Sequence, residues 1–384
     1  MNIYLDNAAT TPLANEVFTA MKPFIFESFA NPSSAHSLGR YAREAVEQSR
    51  KIIAENLHTE PGNIFFTSGG TEGDNTAILS AIYNHDIKVV ITSKLEHYAV
   101  LNTLKALEQR GVIRLVYLEN DNKGKLSLTE LDALLENGEP ALISLMHGNN
   151  EIGNLNPILE IADLADHHGA IFHSDTVQTM GHIDINTRQL APDFLVGSAH
   201  KFHGPKGVGF LYAKEPANLR AFINGGSQES GKRAGTENVA GIVGMAAALQ
   251  HAYDNQNLYE THIHSLKKRL VNGLTNLAGI SFNGYSDHAD KSLSTVLSVS
   301  LPALPDGADL LQTLDKVGIF VSGGSACSSN HSSHVIEALG NGKNEETIRF
   351  SFSRFNTGSE IDEVVSQLNS LYRNRREQQN LLYA

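Results

Sequence analysis

Apolar positions along the chain fall into two rhythms. Short unbroken runs such as Ile64-Phe-Phe, Lys88-Val-Val-Ile-Thr92, Val112 to Leu118, Ala141 to Met146, Ala170 to His173 and Phe194 to Val196 have strand length and β-branched or aromatic content. Between them lie stretches with helical spacing: Gly70 to about Tyr83, Ala99 to Arg110, Leu128 to Leu135 and Ile158 to His167. Upstream, Asn15 opens a helix to about Phe26, and His36 to Leu57 reads as a helix with Leu38, Tyr41, Ala45, Ile52 and Ala54 near one stripe. Strands that alternate with helices in this way predict a mostly parallel sheet covered by helices on its faces.

The rhythm changes after about Asn255. Ile263 to Leu277 predicts a long amphipathic helix, Leu293 to Ser300 an alternating strand and Ala308 to Val317 a helix. Phe320-Val321 predicts a short strand, Gly323 to Ser333 a loop and His334 to Leu339 a helix. Ile348 to Ser353 then predicts a strand and Glu360 to Arg373 a helix. Fewer strands and more exterior helices predict a second, smaller α+β unit. The expected division is a large domain over residues 15–257 and a small one made of residues 1–14 and 258–384.

Composition narrows the function classes. Hydrophobic residues make up 41% and charged residues 19%, which fits an ordinary globular protein. A formal net charge of −12 argues against stable nucleic-acid binding, which favours clustered Lys and Arg. No apolar stretch reaches membrane-spanning length; the longest, Val239 to Leu249, reads as a buried helix. The N-terminus shows no signal-peptide pattern, and a single cysteine, Cys327, forms no internal disulfide, so a reducing cytoplasm is expected.

Candidate chemistry collects where strands end. Lys201 sits in Ser198-Ala-His200-Lys201, on a short seam between the Phe194 run and the Val208 to Tyr212 run. A lysine held there can form a Schiff base with an aldehyde, although the local sequence taken alone favours a plain surface lysine. Gly69-Gly70-Thr71 joins a strand to a helix, which suits either an anion at the helix N-terminus or a tight capped turn. His97, Asn149-Asn150-Glu151, Asp175 and Gln178 all follow strands and reach the same edge, where open α/β sheets bind ligands. Arg349 and Arg354 flank a strand in the second unit, where either could form a bidentate pair with a carboxylate. Alternation puts Arg349, Ser351 and Ser353 opposite Phe350 and Phe352.

Cys327 has Gly and Ser on both sides, as an accessible reactive thiol needs. His331 and His334 follow it, but a Cys/His zinc site would lack a second cysteine. Two motif matches are discounted. Gly226-Ser-Gln-Glu-Ser-Gly-Lys232 fits most of a Walker A pattern but has Arg233 where Mg²⁺ needs Ser or Thr, and Ser198-x-x-Lys201 lacks the companion motifs of serine acyl-enzymes.

Taken in order, Tyr4-Leu-Asp-Asn-Ala-Ala-Thr-Thr-Pro12, Asn31-Pro-Ser-Ser-Ala-His36, Thr67-Ser-Gly-Gly-Thr-Glu72, Glu96-His97, Asn149-Asn-Glu-Ile-Gly153, His173-Ser-Asp175, Ser198-Ala-His-Lys201, Arg233-Ala-Gly-Thr-Glu-Asn238, Gly324-Ser-Ala-Cys327 and Arg349-Phe-Ser351 form a set. The set resembles the cysteine desulfurases of the NifS/IscS type, in the class V aminotransferase group of fold-type I pyridoxal-phosphate enzymes. The resemblance implies a large domain with a mostly parallel seven-stranded sheet and pyridoxal 5′-phosphate as cofactor. It implies that Lys201 carries the cofactor and moves protons, Asp175 pairs with its ring nitrogen, Gln178 faces its phenolic oxygen and His97 stacks on it. Gly70, Thr71, Ser198 and His200 would hold the phosphate, with Thr236 reaching in from the partner of a homodimer. Asn150, beside the cofactor, and Arg349 would bind the carboxylate of L-cysteine. Cys327 would take its sulfur as a persulfide, releasing alanine, for a protein acceptor such as an iron–sulfur scaffold.

A selenocysteine lyase or related β-eliminating enzyme is the same-fold alternative, and a non-catalytic sulfur-relay protein the different-class one. Gly73, Ser353 and Asn356 stand where relatives often carry Ser, Gly and Thr, and the segment from Cys327 to His334 is a little shorter than in familiar members.

Overall fold

The computed structural model describes residues 2–304, 307–323, 333–340 and 345–382. The chain begins with β1 (Ile3–Tyr4), α1 (Asn15–Phe26) and α2 (Ser37–Asn56). An alternating series follows: β2 (Ile64–Thr67), α3 (Gly70–Asn84), β3 (Val89–Ser93), α4 (Tyr98–Gln109), β4 (Arg114–Leu118), α5 (Leu128–Leu135), β5 (Ala141–Ser144), α6 (Ile158–His168) and β6 (Ile171–Asp175). Next come α7 (Thr187–Leu190), β7 (Phe194–Ser198), β8 (Gly209–Ala213), α8 (Val239–Asp254) and α9 (Gln256–Leu274). The last stretch holds β9 (Ser281–Phe282), β10 (Val296–Pro302), α10 (Leu310–Lys316), β11 (Ile319–Phe320), α11 (His334–Ala338), β12 (Glu345–Ser351) and α12 (Gly358–Leu382).

Seven strands form one sheet in the order β2-β8-β7-β6-β5-β3-β4. Only β8 runs against its neighbours. The apolar runs are continuous because both faces are covered. Neighbouring residues feed opposite sides: Phe66, Ile91, Ile143, Leu195 and Phe210 enter one apolar cluster. Phe65, Val90, Leu142, Val196 and Leu211 enter the other, with Ala77, Ile78 and Ala81 of α3. Since β8 alone is reversed, β2, β3, β5, β6 and β7 all end at one edge, and the loops leaving them share it.

The later strands pair as an antiparallel sheet, β12-β10-β9, and β1 pairs in parallel with β11. Ile3 and Leu5 pack with Leu266, Leu270, Leu297, Val299, Phe350 and Phe352 in a third cluster. The chain's first residues are therefore sewn to its last strand: Ser351 N donates to Leu5 O at 2.7 Å, and Asn7 Nδ2 donates to Ser351 O at 2.8 Å.

The stripe expected on α2 holds at Ala54, which is buried, and at Ile52, which packs on the core, but not at its first two members. Leu38 and Tyr41 are 55% and 49% exposed, while Ala42, Val46, Ser49, Arg50 and Ile53 are buried. The inward face is defined by packing on α8 and by an ion pair. Arg50 and Glu229 are 9% and 8% exposed and meet through two contacts of 2.7 Å. Buried Ser and Arg hid that face from a hydrophobicity reading. The same contact explains the Walker-like segment, whose Glu229 carries an ion pair inside the protein.

Candidate active site

The shared sheet edge opens into a cavity of about 250 Å³. Gly70, Thr71, His97, Asn150, Asp175, Gln178, Ser198, His200, Lys201 and Arg349 all line it. Thr236 does not line it and is exposed; its segment is held near the α3 N-terminus because Arg233 Nε donates to Glu72 Oε1 at 2.9 Å. Cys327 lies outside the described residues.

The turn into α3 is built from glycine. Gly69 has φ +150°, and a Cβ on Gly209 of β8 would fall 2.8 Å from the Gly69 Cα, so turn and strand touch backbone to backbone. That closeness leaves the first-turn N–H groups of α3, which have no acceptor within the helix, at the end of the cavity lined by Thr71, Ser198 and His200. Gly73 has a packing reason: a Cβ there would meet Val196 Cγ1 at 2.6 Å.

Lys201 Nζ donates to the carbonyl oxygens of Ala8 at 2.5 Å and Ala9 at 3.0 Å. Gln178 Nε2 also donates to Ala8 O, at 3.0 Å. Burial raises the carboxyl pKa of Asp175, opposed by His97, by the Val177 N–H that Oδ1 accepts at 2.9 Å, and by Lys201. His97 caps α4, its Nδ1 accepting from Ala99 N–H at 3.2 Å, so in the neutral ring the proton sits on Nε2. Burial lowers its pKa, as do Lys201 and His334, against the pull of Asp175. Burial, with Lys201 and Lys206 nearby, brings His200 down to about 4.

Arg349 is 1% exposed. Its Nη1 donates to Asn150 O at 2.7 Å and its Nη2 to Asp6 Oδ1 at 2.8 Å, while Nε is buried without a partner among the described residues. The structure brings Asn150 and Arg349 to one cavity wall and adds Asp6, Ala8 and Ala9, which sequence reasoning missed. Their only signal was the polar, small-residue character of the arm. It also missed Asp74 and Glu96 as buried acids of the site.

The donor set suits a phosphate-bearing aromatic aldehyde: helix N–H groups and hydroxyls at one end, a buried carboxylate, an imidazole and a primary amine. Arg349, whose guanidinium Nε has no partner among the described residues, adds a place for a carboxylate.

Comparison with known proteins points the same way. The family described as Aminotransferase class-V matches residues 3–364. The cysteine desulfurase IscS of Clostridium botulinum is 39% identical over 382 residues, which cover 98% of this chain and 95% of that protein. The cysteine desulfurase NifS of Azotobacter vinelandii is 39% identical over 373 residues, covering 96% and 92%. Among solved structures, a NifS-like protein superposes with TM-score 0.88 at 34% identity, covering 96% of this chain and 99% of that one. A structure titled SspA in complex with cysteine gives TM-score 0.80 at 33% identity, covering 92% and 100%.

Proposed function

The chain belongs to the aminotransferase class-V family, and on that premise we propose that it is a cysteine desulfurase, converting L-cysteine to L-alanine and a Cys327 persulfide. The observation that carries the reading is the convergence of Lys201, Asp175, His97 and Arg349 on one cavity from four separate segments. Pyridoxal phosphate, when bound, supplies an aldehyde that captures the amino group of cysteine and a ring that accepts electrons from its Cα.

The chain's own residues supply the rest. Thr71, Ser198, His200 and the α3 N-terminus would hold the phosphate through hydrogen bonds and the helix dipole, and Asp175 would keep the ring nitrogen in its protonated form. Lys201, on its short seam after β7, takes and returns the proton at Cα. His97, neutral and carrying its proton on Nε2, is suited to proton exchange nearby. Arg349 and Asn150 fix the substrate carboxylate and so its orientation. The Cys327 thiolate attacks the substrate sulfur: an S–S bond forms, the C–S bond breaks, and the carbon gains a proton to become alanine.

The large unit, residues 15–257, holds the cofactor, and the unit of residues 1–14 and 258–384 carries Cys327. Thr236, exposed and outside its own cavity, serves the cavity of a second copy in a homodimer. The persulfide passes to a protein acceptor such as an iron–sulfur scaffold in a reducing cytoplasm. Among the described residues no helix is long and apolar enough to cross a membrane.

The test is Cys327→Ala. Expected is protein that keeps the visible colour of bound cofactor yet releases neither sulfide nor alanine from cysteine beyond background. Normal turnover in that variant would refute the persulfide route, and cofactor-supplemented wild-type protein without colour would refute the enzyme reading.

A further inference from the structure

Asp74 lies three residues after Thr71 on α3 and lines the same cavity as Asp175. It is 1% exposed, and its Oδ1 has no hydrogen-bond partner among the described residues. The basic group facing it is His173 on β6, whose Nε2 lies 3.4 Å from Oδ1. The other nitrogen of that ring, Nδ1, is 2.9 Å from Ser144 Oγ.

This imidazole is a poor counter-ion. It is fully buried, and burial drives its pKa down to about 3, so it is neutral at ordinary pH. The other groups around Asp74 are acids on neighbouring elements, Asp175 at the end of β6 and Glu96 after β3. Burial first, then Asp175, then Glu96, raises the Asp74 carboxyl well above its usual range. Glu96 is 1% exposed, accepts from Met146 N–H at 2.8 Å through Oε1 and leaves Oε2 unpartnered. Asp175 differs from both in facing His97 and Lys201, and from Asp74 also in accepting a backbone N–H. A buried carboxylate without a cation or donors costs several kcal/mol, whereas the protonated acid avoids that cost.

We propose that Asp74 is a positioning residue kept as a neutral carboxylic acid beside Asp175, so that negative charge at this part of the cavity resides on Asp175. The inference deepens the reading that the cavity holds an aromatic cofactor with a basic ring nitrogen, and it rests on that reading for its consequence. With two carboxylates present, repulsion would raise the pKa of Asp175, so that it competes with the ring nitrogen for the proton instead of leaving it on the ring. With one, the charge is fixed where the ring nitrogen is expected. His173 and Ser144 serve as the polar backing that keeps water from replacing this arrangement.

Infrared difference spectroscopy of the cofactor-filled protein against Asp74→Asn, between pH 6 and 8, tests it. The wild type should show a carboxylic-acid carbonyl band that shifts in heavy water and is lost in Asp74→Asn. The pH midpoint of the cofactor's visible band should move by no more than about 0.3 unit, because one neutral group replaces another. Absence of a lost band would overturn the proposal. So would a downward shift of a unit or more in the visible midpoint, as loss of a negative charge produces. The infrared band requires no bound cofactor, so protein without colour would count against the enzyme reading while the band still decides Asp74. Should Asp74→Asn not fold, Asp74→Ser gives the same subtraction.

Discussion

The Arg50–Glu229 pair offers a measurable test of how the fold is held around the site. Glu229 sits at φ 47° in the turn of residues 228–231. Its oxygens accept from Arg50 Nη1 and Nη2 at 2.7 Å each, and Oε2 also accepts the Phe66 N–H at 2.8 Å. Arg50 Nη1 further donates to Ile64 O at 2.7 Å, and its guanidinium lies 4.6 Å from the centroid of the Phe66 ring. Glu229→Ala strands that charge and leaves the Phe66 N–H without its acceptor. Removing one partner of a buried pair costs about 3–5 kcal/mol. Two features hold the loss to the lower end: Glu47 already touches Arg50 at 3.2 Å, and a cavity of about 380 Å³ alongside admits water. A loss of about 3 kcal/mol is expected, read as a lower denaturation midpoint of the cofactor-filled protein at unchanged slope. The double variant Arg50→Met/Glu229→Gln should recover at least about half of it, since no charge is left buried and Gln still accepts from Phe66. A single-variant loss under about 1 kcal/mol, or a double variant as unstable as the single one, would refute the reasoning.

Two further outcomes follow from the same geometry. Arg349→Lys keeps the charge but loses the fork that reaches Asn150 and Asp6, so the KM for cysteine should rise roughly tenfold to hundredfold while cofactor colour persists; a fall in kcat at unchanged KM would speak against carboxylate binding. Acid should destabilise the fold through His173 and His147, which burial brings down to about 3 and about 4. Their unfolded pKa is near 6.5, so the unfolded chain binds protons that the folded one refuses, and stability falls as pH drops below about 6.5. Between pH 7 and 5 each contributes a loss of about 2 kcal/mol, read as the change with pH in the stability difference between the protein and its His147→Gln variant, since a buried carboxyl that keeps its proton, such as Asp74, acts in the opposite sense; a difference that stays constant over that window would show that the His147 ring gains its proton in the folded state.

What the sequence made legible followed from local rules. Strand-length apolar runs and the helices between them are set by periodicity, so the alternating α/β architecture could be read directly. The strand-end residues Thr71, His97, Asn150, Asp175 and Lys201 could be placed at one edge because parallel topology puts loop after loop there. Arg349 and Phe350 separated onto opposite faces as strand alternation requires, with Phe350 in the apolar cluster. The misreadings have a common cause: tertiary partners far along the chain. The inward face of α2 depends on Glu229, about 180 residues away (|i−j| 179), and on α8. Gly73 stands where relatives often carry Ser, and what the sequence could not show is Val196 packed against it. Ser353 and Asn356 look like departures until Asn356 is seen donating to Tyr4 O at 2.9 Å and accepting from Ser353 N–H at 2.9 Å. Asp74 gave no signal because a charge sign cannot reveal that a carboxyl holds its proton.

The stitching of the arm to the final strand has a consequence for biosynthesis. Residues 3–11 are translated ahead of Ser351, Asn356 and Arg349, to which Asn7, Tyr4 and Asp6 bind and which are made roughly 340 residues later. At 5–20 residues per second the arm waits on the order of 20 to 70 s for its partners. Through that interval Arg349 does not yet exist, although the arm can already meet His200 through Thr11, whose N–H and hydroxyl both donate to the His200 carbonyl. Nascent chains can therefore build the seven-stranded sheet while still lacking a finished site. Completion of the cavity then follows translation through β12, whose Arg349 lines it.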